Sequence, residues 1–211
     1  MTGVTDTSLR SPDGAREARP ATSATRTLRV AVVNGSPSEK SKTMGLADVA
    51  LQTLRDVLGA RGVTVAETRV DVYRLGPHFT GALERDGIAS GVETALRDVE
   101  QADLVIAATP VFRGSYTGMF KHFFDLLDQY ALANTPVLLL ATGGGDHHAL
   151  VLEYALRPLF GFFQAMTLPV AVFASSGDFD GITLLNPRVY GRIELAITDV
   201  ASVLEARASR E

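Results

Sequence analysis

The stretch at residues 28–58, LRVAVVNGSPSEKSKTMGLADVALQTLRDVL, contains the pattern that decides the fold. Its first six residues are apolar apart from Arg29 and rich in β-branched side chains, which predicts a strand buried on both faces. A polar loop follows at residues 34–42. Residues 43–58 then place apolar side chains at helical spacing. The stretch therefore predicts a strand, a loop and a helix in succession.

The same alternation continues to the end of the chain. A second strand is predicted at residues 63–70, where apolar and polar side chains alternate, and further buried strands are predicted from apolar runs at residues 103–108, 136–141 and 168–174. Further helices are predicted at residues 89–100, 117–129, 148–165 and 186–206, with Pro158 and Gly161 interrupting the third of these. Strands that alternate with helices and are apolar on both faces indicate a parallel sheet between two helix layers. Because about five strands can be counted, the predicted fold class is α/β, a flavodoxin-like three-layer sandwich with a five-stranded parallel sheet.

Length and composition limit the domain organisation and the function classes. The chain has 211 residues, which suits one domain at residues 28–211 preceded by a tail at residues 1–27. The tail is rich in Ser, Thr, Ala, Arg, Pro and Gly and is predicted to be disordered. A net charge of -4 argues against binding to nucleic acid or to an anionic membrane surface. The chain has no run of about 18 apolar residues and no cysteine, so we expect no membrane span, no disulfide and a cytoplasmic location.

In sheets of this kind, ligands bind beyond the carboxyl ends of the strands, which selects three loops. The first loop, at residues 34–43, places the hydroxyls of Ser36, Ser38, Ser41 and Thr43 and the ammonium of Lys42 just before a helix. Hydroxyls and free amides at the positive end of a helix suit a phosphate monoester. The alternative is an N-capped loop with solvated lysines, since Ser and Thr are common caps. Neither a dinucleotide fingerprint nor a P-loop motif is present.

The second loop, at residues 109–118, combines aromatic side chains with glycines. Phe112 and Tyr116 can border a flat ring. Gly114 and Gly118 allow backbone to approach a ligand closely. For Tyr116, the alternative is that its ring fills the core.

The third loop, at residues 141–148, contains three consecutive glycines and two histidines. The amides of the glycines can converge on one acceptor, and the alternative is a flexible turn. Adjacent residues such as His147 and His148 rarely bind one metal ion, so no metal is expected. No paired carboxylates and no GxSxG elbow accompany these loops, and no catalytic acid or base among the side chains is therefore predicted.

Four segments together resemble the NAD(P)H-dependent FMN reductase family, and in particular the branch that partners sulfonate monooxygenases. They are NGSPS at 34–38, TPVFRGSYTGMFK at 109–121, ATGG at 141–144 and LRPLFGFF at 156–163. The resemblance covers about residues 28–180. It implies that NADH or NADPH transfers a hydride to N5 of FMN, and that reduced FMN is supplied to a partner monooxygenase. The flavin carries this chemistry, so the resemblance implies no catalytic side chain.

The resemblance also implies where each part of FMN is bound. The phosphate is expected at Ser36, Ser38, Ser41, Lys42 and Thr43. The ring is expected at Pro110, Val111, Phe112, Arg113, Gly114 and Ser115, and its pyrimidine edge at Thr142, Gly143 and Gly144. Many relatives carry arginine where Lys42 stands, so the bidentate phosphate contact becomes a single point contact in this chain.

The segment at residues 150–163 carries more large apolar side chains than one buried face requires. Together with the resemblance, this predicts a homodimer or homotetramer. Two other functions use the same loops. One is a quinone, azo-dye or metal-ion reductase that retains FMN, and the other is a flavodoxin-like electron carrier. A flavin sensor without enzymatic activity is a third reading, and the choice between NADH and NADPH stays open.

Overall fold

The computed structural model describes Met1, Gly3 and residues 26–210. Most of the predicted tail at residues 1–27 therefore lies outside the described residues, and Arg26 and Thr27 are the first residues of a strand. The strands are β1 Arg26–Asn34, β2 Val63–Asp71, β3 Leu104–Pro110, β4 Pro136–Gly143, β5 Met166–Thr167, β6 Val172–Ser175, β7 Phe179–Asp180, β8 Thr183–Leu184 and β9 Ser209–Arg210. The helices are α1 Lys42–Gly59, α2 Ser90–Glu100, α3 Gly118–Asp125, α4 Arg157–Phe162, α5 Pro187–Thr198 and α6 Ala201–Arg207.

The central sheet has the strand order β2-β1-β3-β4-β5, with every neighbouring pair in this path parallel. The fifth position consists of two short strands, because β5 pairs with the start of β4 and β6 pairs with its end. Pro169 lies between them and cannot donate a ladder hydrogen bond. The two-residue strand β9 adds antiparallel to the start of β1. The predicted five-stranded parallel sheet is confirmed.

Helices cover both faces of this sheet. On one face, Leu54 of α1, Ile193 of α5 and Leu204 of α6 belong to one buried apolar cluster. On the other face, Leu96 of α2 and Phe124 of α3 belong to a second cluster, which also includes the buried residues of α4. The three-layer sandwich follows from these two cores, and the flavodoxin-like fold class is confirmed.

Two predicted helices differ from the observed ones. The helix predicted at 148–165 is a π-helical turn, Leu152–Leu156, followed by α4. Helical backbone runs without a gap from Val151 to Phe162, and the interruption predicted at Pro158 takes the form of the π-helical turn that directly precedes Arg157 and Pro158. Gly161 lies inside α4. The closing helix predicted at 186–206 is divided into α5 and α6 around Asp199 and Val200.

Candidate functional site

The loops after β1, β3 and β4 lie at the same edge of the sheet and are hydrogen-bonded to one another. The N–H of Gly35 donates to the carbonyl of Ala108 at 2.7 Å, and the hydroxyl of Thr117 donates to the carbonyl of Gly35 at 2.9 Å. The N–H of Val111 donates to the carbonyl of Thr142 at 2.7 Å. The three loops selected from the sequence therefore form one site.

The first loop presents unused backbone donors at the positive end of α1. Ser41 is the N-cap of this helix, and its hydroxyl accepts the N–H of Met44 at 3.2 Å. Within residues 26–210, the backbone N–H groups of residues 39–43 donate no hydrogen bond. A run of free amides before an 18-residue helix is a donor set suited to a phosphate group.

A buried polar chain of hydrogen bonds fixes the start of this loop. The side-chain amide of Asn34 donates to Asp71 Oδ1 at 2.6 Å, and its oxygen accepts the N–H of Ser36 at 2.9 Å. The buried Ser36 hydroxyl accepts the N–H of Ser38 at 3.3 Å, while Ser38 itself is exposed. The serines of this loop were predicted from the sequence, whereas the roles of Asn34 and Asp71 were not. Asn34 could have been noticed as a polar residue at the end of a buried strand.

Two other residues of this loop make contacts outside it. Lys42 Nζ donates to the carbonyl of Ser176 at 3.4 Å and lies 6.0 Å from the ring centroid of Phe179. The buried hydroxyls of Thr43 and Thr142 lie 2.7 Å apart and share a hydrogen bond. Thr43 was predicted at a phosphate and Thr142 at a ring edge. The two hydroxyls bind each other, and the N–H of Thr43 donates no hydrogen bond among the described residues.

The second loop forms a tight hairpin at residues 112–115. Phe112 and Ser115 exchange two backbone hydrogen bonds of 2.8 and 3.2 Å. Arg113 and Gly114, the two residues between them, have φ values of 50° and 86°. A two-residue hairpin turn of type I′ requires positive φ at both of its central residues. The Phe112 side chain is 50% exposed at the tip. The ring of Tyr116 packs against Phe120 and the core, as the alternative reading of that residue expected.

In the third loop, Gly143 and Gly144 have different environments. A Cβ at Gly143 would lie 3.0 Å from the ring of Phe173 and 3.2 Å from His148, so a larger residue there would require these two side chains to shift. A Cβ at the exposed Gly144 would meet no heavy atom within 4 Å, which leaves its backbone open. The rings of His147 and His148 lie 4.0 Å apart.

Two connected grooves border the second loop. A groove of about 440 Å³ runs between the second and third loops and is lined by Gly114, Ser115, His147, His148, Leu150, Val151, Tyr154 and Ala155. It shares Ser115, Tyr154 and Ala155 with a groove of about 750 Å³ between α3 and α4. Apolar side chains, among them Phe124, Leu159 and Phe163, line part of this second groove, and Lys121, Asp125 and Gln129 line another part. Of the predicted ring residues, Pro110 ends β3, while Val111, Phe112 and Arg113 line a separate shallow pocket of about 320 Å³.

Among residues 26–210, no group of three or more His, Asp or Glu side chains is placed to hold a metal ion. In the described part of the chain, every helix is too short or too polar to cross a membrane.

Residues 28–180 match the family model for NADPH-dependent FMN reductases. The chain belongs to the NADPH-dependent FMN reductase family. It is 42% identical over 181 residues to the NADH-dependent FMN reductase SfnF of Pseudomonas putida, which covers 86% of this chain and 95% of that protein. It is 38% identical over 184 residues to the FMN reductase (NADPH) of Pseudomonas aeruginosa, which covers 87% and 96%. The family resemblance inferred from the sequence is confirmed.

Solved structures of related proteins share the fold. An oxidoreductase from Corynebacterium diphtheriae is 34% identical with a TM-score of 0.77, covering 89% of this chain and all of that one. The apo form of the NADH:FMN oxidoreductase EmoB is 30% identical with a TM-score of 0.70, covering 87% and 91%. Both alignments extend over nearly the whole described part of this FMN reductase homologue.

Proposed function

We propose that this protein uses NADH or NADPH to reduce FMN, and that FMN binds across the three loops. The observation that carries the proposal is the run of free amides at residues 39–43, at the same sheet edge as the exposed hairpin at residues 112–115. Bound FMN supplies the hydride acceptor, so the chain itself must bind and orient both nucleotides and limit the access of water. Family membership and the named FMN reductases among the relatives support this activity.

Each loop has a part in this proposal. The phosphate binds at the amides before α1, with the Ser36, Ser38 and Ser41 hydroxyls beside them and Lys42 adding a positive charge. The backbone of Pro110, Val111, Gly114 and Ser115, with the side chains of Phe112 and Arg113, borders the ring. The open backbone of Gly144, next to Thr142 and Gly143, accepts the pyrimidine edge.

The use of the product is the second part of the proposal. Reduced FMN passes to a flavin-dependent monooxygenase of the sulfonate or sulfur-assimilation type. The likeness to the NADH-dependent FMN reductases SfnF and SfnE, at 42% and 43% identity, supports an NADH-using member of this branch. Relatives named FMN reductase (NADPH) keep NADPH as the other candidate donor. We place the reaction in the cytoplasm, where both nucleotides are available.

The deciding experiment is NADH and NADPH oxidation by flavin-free protein while FMN is titrated in. Saturable dependence on free FMN, with riboflavin and FAD much poorer, supports a reductase that releases reduced FMN. Activity that requires one tightly bound FMN and an added quinone or azo dye supports the bound-flavin reductase instead. Failure to oxidise either nucleotide would remove the enzymatic proposal.

The phosphate site has its own test. We expect Lys42→Ala to raise the dissociation constant of FMN about tenfold, equivalent to about 1.4 kcal/mol, because a charged phosphate contact is lost. Riboflavin has no phosphate and its affinity should be unchanged. Lys40→Ala is the matched control, since Lys40 is an exposed lysine of the same loop. Equal loss of FMN and riboflavin affinity would remove Lys42 from the phosphate site.

We also propose a homodimer or homotetramer that uses the surface around α4. Leu150, Tyr154 and Phe162 are 60%, 78% and 65% exposed, and the last two line the groove between α3 and α4. An exposed apolar surface of this kind is typical of a subunit contact. Phe162→Ser should shift sedimentation toward the monomer, whereas Leu195→Ser, at a 50% exposed position on α5, should not. A wild-type monomer at micromolar concentration would refute the assembly.

A further inference from the structure

The small hairpin formed by β7 and β8 packs against the first turns of α1. A Cβ at Gly45 would lie 2.2 Å from the carbonyl oxygen of Ile182, so the hairpin backbone contacts the helix where it has no side chain. Lys42 lies three residues before Gly45, on the same side of α1. The hairpin therefore covers the helix face that also carries the lysine of the proposed phosphate site.

Half-buried polar contacts hold this hairpin in place. The carboxylate of Asp178 accepts hydrogen bonds from the N–H and hydroxyl of Ser175 at 2.6 and 3.0 Å, and from the amide of Asn186 at 2.5 Å. Burial raises the pKa of Asp178, but these hydrogen bonds outweigh it and the net pKa is lowered. At the other end, the Tyr190 hydroxyl donates to the carbonyl of Leu184 at 2.9 Å. The hairpin is thus anchored before and after its two strands.

Lys42 reaches this anchored segment with its ammonium group. Nζ lies 3.4 Å from the carbonyl oxygen of Ser176 and 6.0 Å from the centre of the Phe179 ring. The two distances are near the upper limits for a hydrogen bond and for a cation–π contact. These contacts therefore restrict the ammonium group without fixing it. An ammonium group has three donors, and the Ser176 carbonyl engages one of them.

We propose that Phe179 is a positioning residue for the FMN phosphate site, which acts through Lys42. This inference rests on the proposed function. A free lysine loses rotamer freedom when it binds a phosphate. Holding the ammonium over a ring face reduces that loss, and the two spare donors remain available to the phosphate. Phe179 and the Ser176 carbonyl therefore increase the affinity for FMN and leave that for riboflavin unchanged.

The test is a double-mutant cycle measured by quenching of flavin fluorescence on titration with flavin-free protein. Phe179→Leu keeps most of the apolar volume and removes the aromatic face. We expect it to raise the dissociation constant of FMN about threefold, a weak cation–π effect, and to leave that of riboflavin unchanged. In the Lys42→Ala background, Phe179→Leu should have no further effect on FMN. A structural role of Phe179 alone would produce the same loss in both backgrounds.

A second variant tests the contact between the hairpin and α1 without changing Phe179. Gly45→Ala should displace the hairpin and lower the preference for FMN over riboflavin, again only when Lys42 is present. Gly191→Ala is the matched control, because its Cβ would meet no atom within 4 Å in α5. Loss of riboflavin affinity, or an unchanged or lowered FMN dissociation constant in Phe179→Leu, would overturn the positioning role. A wild-type protein that binds FMN no better than riboflavin would overturn the phosphate site itself, and the positioning role with it.

Discussion

The hydrogen bond between Thr43 and Thr142 gives a sharp test of how the site is assembled. The two hydroxyl oxygens are 2.7 Å apart, and the residues are 1% and 6% exposed. This contact joins the helix after the first loop to the strand before the third loop, 99 residues apart. Thr142→Val keeps the shape of the side chain, removes the hydroxyl, and leaves the Thr43 hydroxyl buried without that partner.

The expected cost follows from the burial of the remaining hydroxyl. A buried polar group left without its partner costs about 1–3 kcal/mol, which exceeds the net value of the hydrogen bond itself. At about 2–4 °C per kcal/mol for a domain of this size, a loss of about 2 kcal/mol lowers the melting temperature by about 4–8 °C. In Thr43→Val/Thr142→Val both polar groups are absent, so the double variant should lose less stability than Thr142→Val alone.

Thermal unfolding of flavin-free protein measures these differences without a contribution from ligand binding. Thr94→Val is the control, because Thr94 is exposed on α2 and water replaces its hydrogen bond to Ser90. We expect that variant to change stability by less than about 0.5 kcal/mol. If the double variant loses the sum of the two single losses, the hydroxyls act independently and the reasoning is wrong.

Three further predictions concern other parts of the fold. Gly35→Ala should cost about 1–3 kcal/mol of stability in denaturant unfolding, because its Cβ would lie 2.8 Å from a fully buried ring; Gly118→Ala, whose Cβ meets no atom within 4 Å, should show no such loss. Arg113→Gly should raise the melting temperature by about 2–4 °C, since it relieves a side-chain residue at φ 50°; a lower melting temperature would mean that the arginine side chain outweighs the strain. Hydrogen bonds from Arg85 and Arg97 lower the pKa of Glu93 from 4.5 to about 2. A carboxylate with a depressed folded-state pKa stabilises the fold above pH 4.5 and loses that contribution as the pH falls toward 2. The stability difference between wild type and Glu93→Gln should therefore shrink over this window, and a difference that stays constant with pH would contradict the assignment.

The sheet could be predicted from the sequence because its signals are local. The central strands are short apolar runs, the edge strand β2 alternates apolar and polar residues, and the helices between them carry apolar residues at helical spacing. Departures from the prediction occur where tertiary contacts decide the outcome. The π-helical turn before Arg157 and the division around Asp199 have no clear signal in periodicity, because both segments keep a helical pattern throughout.

The three loops of the site were also predictable, but the contacts of their side chains were not. The position of a loop after a parallel strand follows from topology. The partners of individual residues are distant in sequence: Asn34 binds Asp71, and Lys42 reaches Ser176. Sequence reasoning selected Lys42 for its charge, and nothing in the sequence indicated that a hairpin more than 130 residues later would contact its ammonium group.

These contacts bear on how firmly the protein holds a flavin. The free amides at residues 39–43 belong to the backbone, so they persist whatever side chains the loop carries. Any additional affinity for the phosphate comes from side chains. Lys42 provides one flexible positive charge, whereas an arginine would form two hydrogen bonds in a fixed geometry. FMN whose phosphate is held only by amides and one flexible lysine is expected to exchange with free FMN during turnover. Release of reduced FMN to a second protein requires such exchange. A flavin that serves external acceptors must instead stay bound. The rate of FMN dissociation from the wild type therefore separates the two reductase functions: fast dissociation fits the supply of reduced FMN, and slow dissociation fits a bound cofactor.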